Sequence, residues 1–140
     1  MVLDRVVKTA VDNGMQPGDT IPVVGDFFHI TYVQNTGAAF SMLQGHPLLL
    51  IILPGILICI ALLYMLVNSK TMKPIFLISL ALICGGGLGN LTDRFAYGHV
   101  IDMFDFGFFP VFNVADIAVV VGCGLLVIYL VVYENRNPRK

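Results

Sequence analysis

Three stretches of this chain are too long and too apolar for an ordinary water-facing surface. Pro47 to Val67 runs 21 residues without a charge, Pro74 to Leu91 runs 18 and Ile117 to Tyr133 runs 17. A helix needs roughly 20 such residues to cross about 30 Å of hydrocarbon, so the first is a full span and the other two are short ones. A soluble chain of 140 residues could bury a core, but it would have to cover that core with charge. Only 12% of the residues are charged and 57% are apolar, where a soluble domain carries about 25% charged. Mean hydropathy is +0.86. The sequence predicts one membrane-embedded unit over residues 1–140, an α-helical polytopic bundle. A cleavable signal peptide does not fit the N-terminus, which carries Asp4, Arg5, Lys8 and Asp12 in place of an apolar stretch.

Charge sets the orientation. Cytoplasmic loops retain basic residues. Lys70 and Lys73 lie between the first and second spans, and Arg136, Arg139 and Lys140 follow the third. Those ends are expected in the cytoplasm, C-terminus included. By alternation, 1–46 and 92–116 face outward, and that side holds Asp4, Asp12, Asp19, Asp26, Asp93, Asp102, Asp105 and Asp116, which are all the aspartates of the chain. Three spans ending in the cytoplasm require an outward N-terminus, which is awkward for a charged start. The expectation is therefore that residues 1–8 are the outer end of a truncated first helix.

Residues 9–46 read as a small extracytoplasmic β region lying on the outer membrane surface. Pro17-Gly18-Asp19 marks a turn, Ile21-Pro22-Val23-Val24-Gly25-Asp26 follows, and Phe27 to Val33 is β-branched and aromatic as a strand should be. Gly85, Gly86, Gly87 and Gly89 interrupt a hydrophobic helix. No Lys-Ser/Thr follows them, so they do not read as a phosphate loop. The spacing of Gly85 and Gly89 instead suits close helix packing. Cys59, Cys84 and Cys123 each fall inside a span, without a CxxC pair or metal-ligand spacing, and read as small buried apolar residues.

The residues that carry chemistry sit at the outer helix ends. Asp93 and Arg94 follow a hydrophobic helix, with Asn90 on the same face at i, i+3. Asp102 is embedded in apolar sequence, and Asp116 opens the third span, where an N-cap is the plainer reading. Two carboxylates 14 residues apart, both beside the ends of neighbouring helices, can nevertheless meet across the bundle. An ionisable group at membrane depth is costly enough to suggest function. If Asp102 and Asp116 converge, repulsion and desolvation raise one carboxyl's hold on its proton while the other stays ionised. Such a pair activates water against an amide, and which member is the base stays open. Ser41, Ser69 and Ser79 lack a His partner in sequence. His29, His46 and His99 show no HExxH spacing. A small ion or proton transporter subunit would use the same aspartates as a relay, but 47–67 and 74–89 contain no Asp, Glu, Lys, Arg or His to continue it. A noncatalytic scaffold would leave the outer polar motifs without a purpose.

Five ordered motifs then carry a resemblance. They are Asp4-Arg5-Val6-Val7-Lys8, Asn35-Thr36-Gly37-Ala38-Ala39-Phe40, Gly86 to Arg94, Gly98-His99-Val100-Ile101-Asp102 and Phe112-Asn113-Val114-Ala115-Asp116. In order and type they resemble those of lipoprotein signal peptidases, the bacterial signal peptidase II family. The resemblance implies an aspartic endopeptidase of the bacterial cytoplasmic membrane, its site toward the outer face. It would remove signal peptides from diacylglyceryl-modified prolipoproteins by cutting before the lipidated cysteine. It implies catalytic roles for Asp102 and Asp116. Asn35, Asn90, Asp93, Arg94, Asn113, Asp4 and Lys8 would shape or support the site, structural roles standing beside functional ones. Partners would be the prolipoprotein and membrane lipids, with no metal, cofactor or nucleic acid. The family has four transmembrane helices, and this chain begins where the first should be ending, so an inactive short form is the other expectation.

Overall fold

The computed structural model describes residues 1–37 and 45–134. Ala38, Ala39 and Phe40 of the second motif, and the basic residues Arg136, Arg139 and Lys140 of the orientation argument, lie outside the described residues. Helix α1 (Val2–Gly14) comes first, followed by strands β1 (Thr20–Val24) and β2 (Phe28–Asn35), then helices α2 (Pro47–Asn68) and α3 (Pro74–Tyr97). Strand β3 (Val100–Asp105) and helix α4 (Val114–Tyr129) complete it, α4 continuing as a π-helical turn over Leu130–Glu134.

Among the described residues, three helical stretches are long and apolar enough to cross a membrane: Pro47–Asn68, Pro74–Tyr97 and Val114–Val132. Their windows have mean hydropathies of 2.9, 1.8 and 2.6, and only 11%, 22% and 11% of those windows is buried in the protein. The exposed remainder is apolar, as lipid-facing helix surface must be. α3 is the least apolar and the most buried because it packs against both α2 and α4. Two of the spans are longer than their apolar runs. α3 continues past Leu91 to Tyr97, closed by Gly98 in a left-handed conformation (φ 76°) that donates to the Arg94 carbonyl. α4 begins at Val114, not Ile117. In both cases the extra turn carries polar side chains that point inward, where hydropathy gives no sign of a helix.

α1 inverts the usual pattern. Its buried stripe is Asp4, Lys8 and Val11, at i, i+4 and i+7, while Val2, Leu3 and Val6 are exposed. The helix also continues to Gly14, six residues beyond the end at residue 8 that the sequence suggests, because no glycine or proline interrupts it sooner. Ordered β structure therefore starts at Thr20, not at residue 9.

The sheet has the order β1-β2-β3 with both pairings antiparallel. Its third strand comes from beyond α3, outside the expected 9–46 region. β3 places Asp102 opposite Val33 and Val100 opposite Asn35. Val11, Tyr32, Ile101 and Met103 form a small core that fastens α1 to the sheet, with Val7, Met15, Ile30 and Phe104 around it. The Tyr32 hydroxyl donates to Asp12 across the same junction, and burial, then that hydrogen bond, hold its pKa above the usual phenol value.

Close helix approach does involve the glycine cluster, but through Gly86 with Gly89, not Gly85. A Cβ on Gly86 would run into the Ala115 carbonyl oxygen, and one on Gly89 would lie 2.8 Å from Asp4 Oδ2 and 3.3 Å from Ala115 Cβ. At Gly85 a Cβ would meet nothing within 4 Å. Gly122 is equally tight against Ser79 O and Ile83 Cγ1, at 2.8 Å each. Gly86→Ala is expected to destabilise by about 1–3 kcal/mol through overpacking against backbone, and Gly85→Ala to be neutral or slightly stabilising. Thermal unfolding of both in detergent checks this. Of the cysteines, only Cys84 is buried; Cys59 and Cys123 are exposed on the helix surfaces, and all three are free.

Candidate active site

α1, the C-terminal end of α3, the N-terminal end of α4, β2 and β3 bring ten polar residues together. α3 turns one face toward the site. Gly86 and Gly89 let α1 and α4 approach, and Asn90 and Asp93 project from the same face. α4 opens with a capping box. Asn113 Oδ1 accepts from the Asp116 backbone N–H at 2.9 Å, and Asp116 Oδ2 accepts from the Asn113 N–H at 3.1 Å. The N-cap is therefore Asn113 and not Asp116, which sits at N3 as the other half of the capping box.

Asn113 also links the two candidate carboxyls. Its Nδ2 donates to Asp102 Oδ1 at 2.6 Å and to Asn90 Oδ1 at 3.1 Å, while its Oδ1 is committed to the Asp116 N–H. Asn35 Nδ2 donates to Asp102 Oδ2 at 2.9 Å, and Asn90 Nδ2 to Asp116 Oδ1 at 2.7 Å. Every one of these amides is held in one sense by a group that can only donate. The donor is the Gly37 N–H for Asn35 (2.9 Å), the Asp116 N–H for Asn113, and the Lys8 ammonium for Asn90 (2.9 Å). Each asparagine thus presents its NH₂ to a carboxylate oxygen.

Around this centre runs an ion network. Lys8, fully buried, lies 2.7 Å from Asp93 Oδ2 and 3.1 Å from Asp4 Oδ2. Arg5 Nη2 lies 2.7 Å from Asp93 Oδ1, and Asp4 Oδ1 accepts from the Ala115 N–H at 2.9 Å. Arg94 lies near Asp102, Asp116 and Asp93 but hydrogen-bonds none of them, its Nη2 donating instead to the Gly37 carbonyl at 2.8 Å. Asp4, Asp93, Asp102 and Asp116 are four carboxylates against the three cations Arg5, Lys8 and Arg94. One proton among them makes the group neutral, as a site at a membrane boundary favours.

The carboxyl best placed to hold that proton is Asp102, which is 2% exposed. Burial pushes its pKa up to about 6, and the Asp116 charge adds to this. The hydrogen bonds from Asn35 and Asn113 and the charge of Lys8 pull the other way without cancelling it. Asp116 is half-buried and lies in the first turn of α4, where the helix dipole favours negative charge. At the far end of the same strand Asp105 is held below its ordinary range by donors from Gly107 and Thr31, and takes no part. Among the described residues no group of three His, Cys, Asp or Glu side chains is arranged as metal ligands. The donors to the two carboxyls are side-chain amides and one backbone N–H.

All nine residues singled out from the sequence lie in or beside this network. Arg94 alone among them reaches no carboxylate. Three contributors were not singled out. Arg5 stood in a motif without a role, and Gly37 and Ala115 act through their backbones. The Asp4/Lys8 pairing at i, i+4 was legible, but Arg5 meets Asp93 across 88 residues, for which no local signal exists.

Residues 1–132 match the Peptidase_A8 family model, Signal peptidase (SPase) II. A lipoprotein signal peptidase of Halothermothrix orenii is 44% identical over 131 residues, spanning 93% of this chain and 88% of the relative. One of Desulfitobacterium hafniense is 43% identical over 139 residues, spanning 99% and 91%. Among solved structures, a bacterial membrane enzyme determined by the in meso method at 2.3 Å superposes with a TM-score of 0.86 at 31% identity, covering 99% of this chain and 86% of that one. A second, determined at 1.9 Å, gives 0.83 at 32% identity, covering 94% and 87%.

Proposed function

The chain belongs to the signal peptidase II family, and we propose that it is the aspartic member of that description, with Asp102 and Asp116 as its catalytic pair. It is a peptidase of the bacterial inner membrane. Its substrate is a prolipoprotein, and the bond cut is the one before the diacylglyceryl-modified cysteine. The observation that carries this reading is the joining of two carboxyls through Asn113, one of them buried and holding its proton to about pH 6.

In the working state the pair shares one proton, with Asp102 as the acid and Asp116 as the base. A water between them gives a proton to Asp116 as its oxygen attacks the carbonyl carbon of the scissile bond, and Asp102 gives its proton to the carbonyl oxygen. The resulting gem-diol collapses when Asp116 returns its proton to the amide nitrogen. The C–N bond breaks, a hydroxyl proton goes back to Asp102, and the pair is ready again. Asn35 and Asn113 hold the Asp102 carboxyl, and Asn90 holds Asp116. Arg94 fixes the Gly37 backbone beside them. The site faces outward, as the basic Lys70 and Lys73 connection at the opposite ends of α2 and α3 supports. Exposed Phe27 and Phe108, whose rings face each other, and exposed Phe109, edge-on to Phe112, support a sheet that rests on the headgroups.

The test is to incubate the purified chain with a diacylated prolipoprotein and follow signal-peptide release by mass spectrometry. No release by a folded preparation sinks the reading. The pH dependence is fixed in sign. Asp102 has a raised pKa, so the acid it supplies is present below about 6 and is lost as pH rises through that value. The alkaline limb of kcat/KM, which reports the free enzyme, is expected near pH 6 with a slope of one proton. The same shift favours the folded state below the ordinary carboxyl range, and that gain is lost as pH rises through about 6.

A further inference from the structure

We infer that Lys8 is a positioning residue for the carboxyl pair: by taking the Asn90 carbonyl oxygen it turns the Asn90 nitrogen onto Asp116, so that the base of the pair faces a donor. The inference rests on the acid and base assignment proposed above and deepens it.

An asparagine amide has two ends of nearly equal size, so its partners decide which way it faces. At Asn90 the alternatives have opposite consequences. With nitrogen toward Asp116, the 2.7 Å contact is a donor on a carboxylate. With oxygen toward Asp116, the same contact sets two acceptors against each other and is tolerable only with a proton between them. Protonated, Asp116 cannot take a proton from water.

Lys8 removes the second alternative. Its ammonium is 0% exposed, donates to Asn90 Oδ1 at 2.9 Å, and is ion-paired with Asp93 Oδ2 and Asp4 Oδ2 at 2.7 and 3.1 Å. An ammonium cannot accept, so the Asn90 atom 2.9 Å away must be oxygen. Asn113 Nδ2 favours the same sense from 3.1 Å, but that group is nearer to Asp102, at 2.6 Å. Neutralising carboxylates would not by itself require the Asn90 contact, because Asp93 already has Arg5 and Asp4 already has the Ala115 N–H. The charged groups gathered about Asp116 are Asp4, Arg5 and Lys8 of α1, Asp93 and Arg94 of α3, and Asp102 of β3. β2 brings only neutral Asn35 to this end. Arg5 is committed to Asp93 and Arg94 to the Gly37 carbonyl.

The experiment measures kcat and KM against pH for the full chain in detergent, with a diacylated prolipoprotein as substrate. Lys8→Met is expected to move the acid limb of the profile up by about one unit. Near that limb kcat should fall about tenfold with KM held, since Lys8 lies behind Asn90. Lys8→Arg, which keeps an obligate donor, should return the limb toward its original position. Should Lys8→Met not fold, Lys8→Met with Asp4→Asn removes one charge of each sign and keeps an oxygen for the Ala115 N–H; the same limb shift is expected. Asp4→Asn alone, which removes a negative charge and keeps the Lys8–Asn90 contact, should not raise the limb. A folded Lys8→Met enzyme whose limb stays in place, whatever its loss of thermal stability, overturns the inference and leaves Lys8 as packing. Failure of the wild type to release signal peptide is a different result and overturns the peptidase reading itself.

Discussion

Replacing Asp116 with asparagine is expected to lower kcat/KM for prolipoprotein cleavage by about 10³–10⁴-fold, and Asp102→Asn by a similar factor. An amide in place of Asp116 cannot take the proton from water. An amide in place of Asp102 cannot supply the acidic proton to the carbonyl oxygen. The pair acts as a unit, so the double substitution should be no worse than the more severe single one. Folding is the necessary control, because Asp116 is also part of the capping box and Asp102 accepts two buried amide donors. An amide at either position leaves one N–H facing another donor, which costs about 1–3 kcal/mol. Thermal unfolding in detergent should register that cost in both variants. Signal-peptide release counted by mass spectrometry should register the far larger loss. Retention of more than about a tenth of the wild-type rate in either folded variant would remove that carboxyl from the chemistry.

Much of this architecture was open to inspection because the solvent of the spans is lipid. A helix in hydrocarbon must be apolar over nearly its whole surface, so α2 and the centres of α3 and α4 stand out as uncharged runs. The same logic makes any carboxylate at a span's outer end conspicuous, which is how Asp102 and Asp116 emerge. Legibility ends where a surface turns inward. Thr92 to Tyr97, Asp93 and Arg94 among them, extend α3 by nearly two turns, yet on hydropathy they lie past its end. In α1 the buried stripe is polar and the exposed stripe is valine and leucine, so its length is invisible to a reading that expects the reverse. Val100, Ile101, Asp102 and Met103 are all buried, which erases the alternation by which a strand is recognised and hides β3 as the sheet's third member. The choice of Gly86 over Gly85 depends on which face α4 approaches, a tertiary fact that four neighbouring glycines leave open.

Asn113 offers the sharpest separation of structure from chemistry, because asparagine and aspartate are almost equal as N-caps. Asn113→Asp keeps an oxygen for the Asp116 N–H and so keeps the start of α4. Its other oxygen, however, replaces the NH₂ that lies 2.6 Å from Asp102 Oδ1 and 3.1 Å from Asn90 Oδ1. Acceptors that close need a proton between them. The proton intended for substrate is then shared between residues 102 and 113, and kcat at neutral pH is expected to fall about 10²-fold. Asn113→Ala does the opposite, removing the cap at about 1 kcal/mol while adding no acceptor beside Asp102. Stability against pH tells the two apart. A new buried carboxyl facing Asp102 holds its proton above the ordinary carboxylate range, so Asn113→Asp is stable in acid and loses stability as pH rises through that raised value. Asn113→Ala removes a donor that holds the Asp102 pKa down, so it too should lose more stability above about pH 6, but less steeply than the aspartate variant, which adds a second ionising carboxyl. Thermal unfolding at several pH values, set beside signal-peptide release, measures both. An aspartate variant with wild-type activity at pH 7 would mean that the Asn113–Asp102 hydrogen bond has no part in the reaction.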